Sequence, residues 1–222
     1  MAEQIAPEID TILWDLDGTL LDSLGVLEGG LATVLPKYQR QLPSHETIAM
    51  NFHGSLEDSI RNMLGDVSDE ELAAIINDFL VTQDTYYDVV QDHLYKDAVE
   101  LARQAHSDGK QQVLVTNRAH EGRLKASPRS IVEHSELREY IDKVICGDDS
   151  EHRKPSPAVL GAFLETLDAE RTLVIGDQFV DAQFAHNLGA TAILVDRQGS
   201  GIAHLETLDA DAAERYRVVV NL

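Results

Sequence analysis

The sequence predicts an α/β protein, a doubly wound parallel sheet with a helical domain inserted into it. Three observations predict it. Short continuous apolar runs recur along the chain, each ending in a polar cluster and followed by helical periodicity. Strands apolar on both faces belong to parallel sheets covered by helices on both sides. The segment from 24 to 95 has helical periodicity, no buried-strand pattern, and far more length than a connecting loop needs. Finally, 222 residues with 43% hydrophobic and 26% charged content allow a sizeable core and do not match a disordered chain.

In chain order, Thr11-Ile12-Leu13-Trp14 is the first buried strand and runs into Asp15. Leu24, Leu27, Leu31, Val34 and Leu35 then follow helical spacing. So do Leu72, Ile75, Ile76 and Phe79, after the acidic helix start Ser68-Asp69-Glu70-Glu71. Residues 24–95 are therefore read as a separate helical subdomain inserted into an α/β core of residues 1–23 and 96–222; a few extra surface helices on a single core are the alternative. In the core, segment 96–108 places Ala98, Leu101, Ala102 and Ala105 on one stripe and stops at Gly109. Gln112-Val113-Leu114-Val115 runs into Thr116-Asn117, and Lys143-Val144-Ile145-Cys146 into Gly147-Asp148-Asp149. Segment 155–166 opens with Pro155 and Pro157, which suits a helix start. Thr172-Leu173-Val174-Ile175 runs into Gly176-Asp177, Ala192-Ile193-Leu194-Val195 into Asp196, and Val218-Val219-Val220 suits a small edge strand.

Charge and composition exclude several classes of function. Eighteen Lys+Arg against thirty-nine Asp+Glu leave a net charge of −21, which repels nucleic acid and anionic membrane. An anionic substrate would therefore need local positive charge, and a metal ion is one source of it. Only six of the cations are Lys, a balance suited to a salt-rich cytoplasm or simply to solubility. No apolar stretch is long enough to span a bilayer. The start, Met1-Ala2-Glu3-Gln4, lacks a secretory pattern, and the single Cys146 cannot form an internal disulfide. A cytoplasmic protein is expected. The nine histidines never fall three or four apart, and no phosphate-loop, dinucleotide or nucleophile-elbow motif is present.

The strand ends carry the chemistry, because ligands of open α/β sheets bind beyond the carboxyl ends of the strands. In Asp15-Leu16-Asp17-Gly18-Thr19 the alternation of an extended chain sends both carboxylates to one side. Two carboxylates that close need a cation beside them or a proton on one of them. A screened Asp15 can attack phosphorus, and a protonated Asp17 can supply a leaving oxygen with its proton. Gly18 lets the backbone bend and approach an anion. Alternatively, this is a polar strand end in which Asp15, Asp22 and Ser23 only cap a turn and a helix. Thr116 and Asn117 can hold phosphoryl oxygens, and the Lys154 ammonium can neutralise a phosphoryl group and Asp15 together. Asp177 and Asp181 add hard oxygen ligands suited to Mg²⁺.

With these motifs in this order, the chain resembles the haloacid dehalogenase superfamily, in its phosphoglycolate-phosphatase-like branch with a helical cap after the first motif. The resemblance covers nearly the whole chain and implies a Rossmann-like core and a Mg²⁺-dependent phosphatase acting on a small phosphorylated metabolite. It implies Asp15 as nucleophile forming an aspartyl-phosphate, and Asp17 as general acid and then base. Thr116, Asn117 and Gly18 would bind phosphate, and Lys154 would stabilise the nucleophile and the transferring charge. Asp15, Asp177 and the backbone carbonyl of Asp17 would ligate the metal, with Asp181 holding its water shell. Phe52-His53-Gly54-Ser55 resembles the family's substrate-facing cap loop, so His53 and Arg61 are candidates for substrate selection.

Departures from the family pattern narrow the choice. The dehalogenases lack the second carboxylate, whereas Asp17 is present; sugar phosphomutases tend to carry a His where this chain has Leu27. Relatives often have Pro-Gly where this chain has Lys96-Asp97. A phosphomutase using the same intermediate, and a non-catalytic module that keeps the fold, are the alternatives.

Overall fold

The computed structural model describes residues 5–6, 8–52, 56–83, 90–120, 127–197, 202, 204–208 and 215–222. Six strands form one sheet: β1 (Thr11–Trp14), β2 (Gln111–Val115), β3 (Lys143–Ile145), β4 (Thr172–Gly176), β5 (Thr191–Val195) and β6 (Tyr216–Val219). Every neighbouring pair is parallel, in the order β3-β2-β1-β4-β5-β6. The chain builds outward from β1 through β2 to β3 and then returns to the other side of β1. The reversal leaves a crevice at the carboxyl ends of β1 and β4, where ligands of such sheets bind. Trp14 is level with both Leu114 and Ile175. Asp15, Thr116 and Asp177 therefore emerge at nearly the same height.

The strands form because their residues are buried on both faces. β4 is buried throughout, and Leu13, Val113, Val115, Val174 and Leu194 share a core with Phe184 and Ala185. Those two belong to α7 (Phe179–Leu188), which ends at Gly189 with φ +81°. α5 (Lys96–Ser107) buries the expected alanine and leucine stripe. Trp14 is fully buried; its indole N–H donates to Gln112 Oε1 at 3.0 Å. The Gln112 amide in turn donates to the Ala102 and Tyr140 carbonyls at 2.8 and 3.1 Å, so no polar atom of this pair lacks a partner.

One expected element differs. Segment 155–166 is not an α-helix: Pro157–Thr166 consists of 3₁₀ turns interrupted at Gly161, whose φ and ψ are 55° and −134°. The helical run of apolar residues is broken by a backbone conformation that glycine alone adopts readily.

The described residues group into two compact units, the sheet with its flanking helices and a helical unit spanning Asp22–His93. The helical unit holds α1 (Ser23–Val34), α2 (His45–Asn51), α3 (Leu56–Leu64) and α4 (Asp69–Gln83). Leu27, Leu31, Val34, Ile48, Ile60, Ile75 and Phe79 form its core. Asp22, Ser44 and Ser68 cap its helices through side-chain oxygens that accept backbone N–H groups. Among the described residues of this unit there is no strand. The short α6 (Pro128–Glu133) follows β2 in sequence, precedes β3 and belongs to the sheet unit. Among the described residues no helix is long and apolar enough to cross a membrane.

Candidate active site

The loop after β1 is built around its glycine. The Asp15 amide donates to the Ile175 carbonyl at 2.8 Å, tying the loop to β4. The amides of Leu20 and Leu21 both return to the Leu16 carbonyl, closing a tight turn. Gly18 sits inside that turn at φ +79°, and a Cβ there would lie 2.1 Å from Asp177 Oδ2. Any side chain at 18 would have to displace the Asp177 carboxylate. Thr19 Oγ1 donates to Asp177 Oδ1 at 3.3 Å, so the same turn also orients that carboxylate.

Lys154 reaches the pocket from the loop after β3. Asn117 holds its backbone from both sides: the Lys154 amide donates to Asn117 Oδ1 at 2.9 Å, and Asn117 Nδ2 donates to the Lys154 carbonyl at 3.1 Å. The side chain is only 3% exposed, and Nζ donates to Asp15 Oδ1 at 2.5 Å and to Asp181 Oδ1 at 2.6 Å. Asp181 lies in the first turn of α7, where its other oxygen accepts the Gln178 amide at 3.1 Å. A Cβ at Gly176 would lie 2.3 Å from Asp181 Cγ, so the last residue of β4 must be glycine for α7 to dock this closely.

The charge in this pocket is unbalanced. Carboxylate oxygens of Asp15, Asp177 and Asp181 lie within 4.8 Å of one another, with one ammonium among them. Burial pushes the Asp15 carboxyl up, Lys154 opposes the rise, and Asp181 and Asp17 add to it, bringing it to about 7. Burial and the neighbouring Asp15, Asp181 and Asp17 also raise Asp177 well above the ordinary carboxylate range. Burial disfavours the Lys154 ammonium, but Asp15 and Asp181 outweigh that and hold its pKa above the usual value. Three converging hard oxygens with excess negative charge fit a small divalent cation such as Mg²⁺.

Asp17 stands apart from that trio. Its carboxylate is forked by the Arg118 guanidinium, with Arg118 Nε 3.1 Å from Oδ2 and Nη2 against Oδ1. The Arg118 backbone amide donates to Thr116 Oγ1 at 3.0 Å, so the first residue after β2 is coupled to the residue that reaches Asp17. In the sequence, the stretch from Arg118 to Arg129 fits the family pattern loosely but assigns Arg118 no role. The available signal was its position, as the first cation after the Thr-Asn pair.

Asn117 uses both ends of its amide on Lys154, and thus acts through the lysine backbone. Arg61 lies on α3 in the helical unit, where it pairs with Asp69 at 2.9 Å and Glu57 at 3.6 Å. His53 lies outside the described residues. A second acidic cluster, Cys146 with Asp148 and Asp149, forms after β3. Its Asp149 is engaged by Arg129 at 2.6 Å, and burial pushes the Cys146 thiol up to about 11. A protonated thiol beside a guanidinium is a poor cation ligand.

A doubly wound sheet that gathers carboxylates around a buried lysine at the carboxyl ends of its strands is an α/β protein with a site placed for ligand chemistry. The sequence places it further: the model of the haloacid dehalogenase-like hydrolases matches residues 9–189, and the chain belongs to that family. A curated relative, the pyrophosphatase PpaX of Bacillus anthracis, is 29% identical over 92% of this chain and 91% of its own. Among solved structures, a predicted phosphoglycolate phosphatase from Haemophilus somnus 129pt superimposes with TM-score 0.66 at 19% identity, covering 85% of this chain and 86% of that one. CbbY from Rhodobacter sphaeroides, solved with phosphate, gives TM-score 0.64 at 18% identity over 96% and 94%. These structural likenesses establish the fold.

Proposed function

We propose that the protein is a Mg²⁺-dependent phosphatase that hydrolyses a small phosphate monoester through an aspartyl-phosphate on Asp15. The observation that carries this reading is Lys154 Nζ, buried and bonded to both Asp15 and Asp181, with Asp177 completing a compact oxygen cluster. Such an arrangement suits a carboxylate nucleophile held beside fixed positive charge.

In the first step an Asp15 oxygen attacks phosphorus and the bond to the ester oxygen breaks. Asp17 gives its proton to that leaving oxygen. Asp17 then takes a proton from water, the water oxygen attacks the phosphoryl group, and orthophosphate leaves as Asp15 is regenerated. Lys154 compensates charge on Asp15 and on the phosphoryl oxygens throughout. Thr116 and the backbone at Gly18 line the phosphoryl position, and Asn117 fixes Lys154. Asp15, Asp177 and the Asp17 carbonyl would hold Mg²⁺, with Asp181 beside its water shell; the ion supplies charge neutralisation of the phosphoryl group. In this reading the helical unit, including His53 and Arg61, selects the substrate.

A second reading differs only in the leaving group. The relative named pyrophosphatase, matched along nearly its full length, supports inorganic pyrophosphate as a substrate. Phosphate release measured with Mg²⁺ on 2-phosphoglycolate, sugar phosphates, nucleoside monophosphates and pyrophosphate separates the two. Release is expected from at least one of them, abolished by EDTA and by Asp15→Asn. Folded protein inert on the whole panel would refute the assignment, and isomerisation of a sugar phosphate without release would indicate a mutase.

A further inference from the structure

Arg197 follows β5 and makes an unusually complete set of contacts for a residue outside the reacting groups. Its Nη1 lies 3.1 and 2.9 Å from the two oxygens of Asp97. Its Nη2 donates to the Thr19 carbonyl at 3.0 Å and its Nε to the Gly18 carbonyl at 3.3 Å. The guanidinium carbon lies 3.6 Å from the centroid of the Tyr95 ring, and the side chain is 13% exposed. Asp97 is in turn fixed by the amides of Ala98 at 2.9 Å and Leu222 at 3.0 Å. Burial raises the Asp97 carboxyl, but Arg197 and these amides hold it below the usual range.

The partners explain what this arginine does. Asp97 is one of the two residues where the chain departs from the Pro-Gly of the family it resembles, and the structure pairs that departure with Arg197. Asp97 and Tyr95 lie on either side of the start of α5, so they aim the guanidinium. Its remaining donors go to the carbonyls of Gly18 and Thr19, the two residues whose Cα and hydroxyl face the Asp177 carboxylate. We infer that Arg197, aimed by Asp97, is a positioning residue that holds the Gly18–Thr19 turn against Asp177 and so fixes the spacing of the divalent-cation pocket. This rests on the proposal above that Asp15 and Asp177 hold the cation.

The physical reason is the freedom of glycine. Gly18 has a left-handed backbone and no side chain to anchor it, so its conformation is set by hydrogen bonds to its peptide groups. The turn keeps its own internal bonds without Arg197, but loses the donors on its outer face. Thr19 Oγ1 and Asp177 can then drift apart while the strands, whose core lies elsewhere, stay folded. Groups that orient metal ligands typically affect metal affinity by about 10–100-fold when removed.

Mn²⁺ titration of substrate-free protein, with free ion counted by electron paramagnetic resonance, tests this without reference to turnover. Arg197→Met keeps the stem and removes the fork, and its Mn²⁺ affinity is expected to fall at least about tenfold. Arg197→Lys reaches one partner at a time and should fall between Met and wild type; it is also the variant to use if Arg197→Met does not fold. Asp97→Asn should give a smaller loss than Arg197→Met, because the carbonyl contacts remain. Wild-type Mn²⁺ affinity in a folded Arg197→Met or Arg197→Lys protein overturns the inference. Asp177→Asn is the control that separates the two ideas: if it too binds Mn²⁺ as wild type does, the cation pocket itself is wrongly assigned. If Asp177→Asn is weakened and the Arg197 variants are not, only the role of Arg197 fails.

Discussion

Replacing Lys154 by methionine keeps the volume of its aliphatic stem and removes the charge from between two buried carboxylates. In the native pocket Nζ is 2.5 Å from Asp15 and 2.6 Å from Asp181, with 3% of the side chain exposed. Without it, Asp15 and Asp181 face each other inside the protein, with an Asp177 oxygen within 4.8 Å of both. Removing one partner of a buried ion pair costs about 3–5 kcal/mol, mostly from the charge left uncompensated. A protein of this size loses about 2–4 °C of melting temperature per kcal/mol, so Lys154→Met should melt about 6–20 °C below wild type in EDTA. The double variant Lys154→Met with Asp181→Asn should be less destabilised than the two single changes added together, by about 1–3 kcal/mol, since the repulsion is then halved. Thermal or urea unfolding of the four proteins in EDTA measures this cycle. A Lys154→Met stability within about 0.5 kcal/mol of wild type, the range of an ordinary surface change, would show that the ammonium does not hold these carboxylates together.

Gly18→Ala puts a Cβ where the Asp177 carboxylate lies, at a positive φ, and should cost about 1–3 kcal/mol while weakening Mg²⁺ binding; an unchanged melting temperature in EDTA would contradict it. Arg118→Met loosens the carboxylate expected to protonate the leaving group, so it should slow hydrolysis of an alkyl phosphate about tenfold more than that of 4-nitrophenyl phosphate, whose leaving group needs no acid. Equal loss on both esters would make Arg118 a purely structural residue. Asp15 has a native pKa of about 7 against an ordinary 3.8, so between those values the native state binds more protons than the unfolded chain. Metal-free stability from this group should therefore fall as the pH rises across that window, and Mg²⁺, which needs the ionised carboxylate, should raise the melting temperature more at pH 8 than at pH 5. The same increment at both would count against it.

The sheet was legible because each strand is a continuous apolar run, and continuous runs are what a sheet covered on both faces requires; the structure moves most strand ends by at most one residue and starts the last strand two residues earlier, at Tyr216. The helices around Leu27 and Ile75 were legible from spacing alone. Pro157–Thr166 was not, since its apolar pattern fits a helix and only the backbone of Gly161 decides otherwise. The meeting of Asp15, Asp177, Asp181 and Lys154 followed from placing polar clusters at successive parallel strand ends. By contrast, the ion pairs Arg118–Asp17 and Arg197–Asp97 join residues 101 and 100 positions apart. Neither has a local pattern, so only the fold brings them together. Asn117 carried a signal, but its engagement with the Lys154 backbone depends on how the loop after β3 returns to β2.

In the proposed reaction Asp15 becomes covalently phosphorylated during turnover. Acid quenching during turnover with Mg²⁺, followed by mass spectrometry of the peptide containing Asp15, tests it most directly. Phosphorylation of that residue, labile to hydroxylamine and absent from Asp15→Asn, is the predicted result. An unmodified peptide in the wild type, together with phosphate release at the wild-type rate from folded Asp15→Asn, would contradict it.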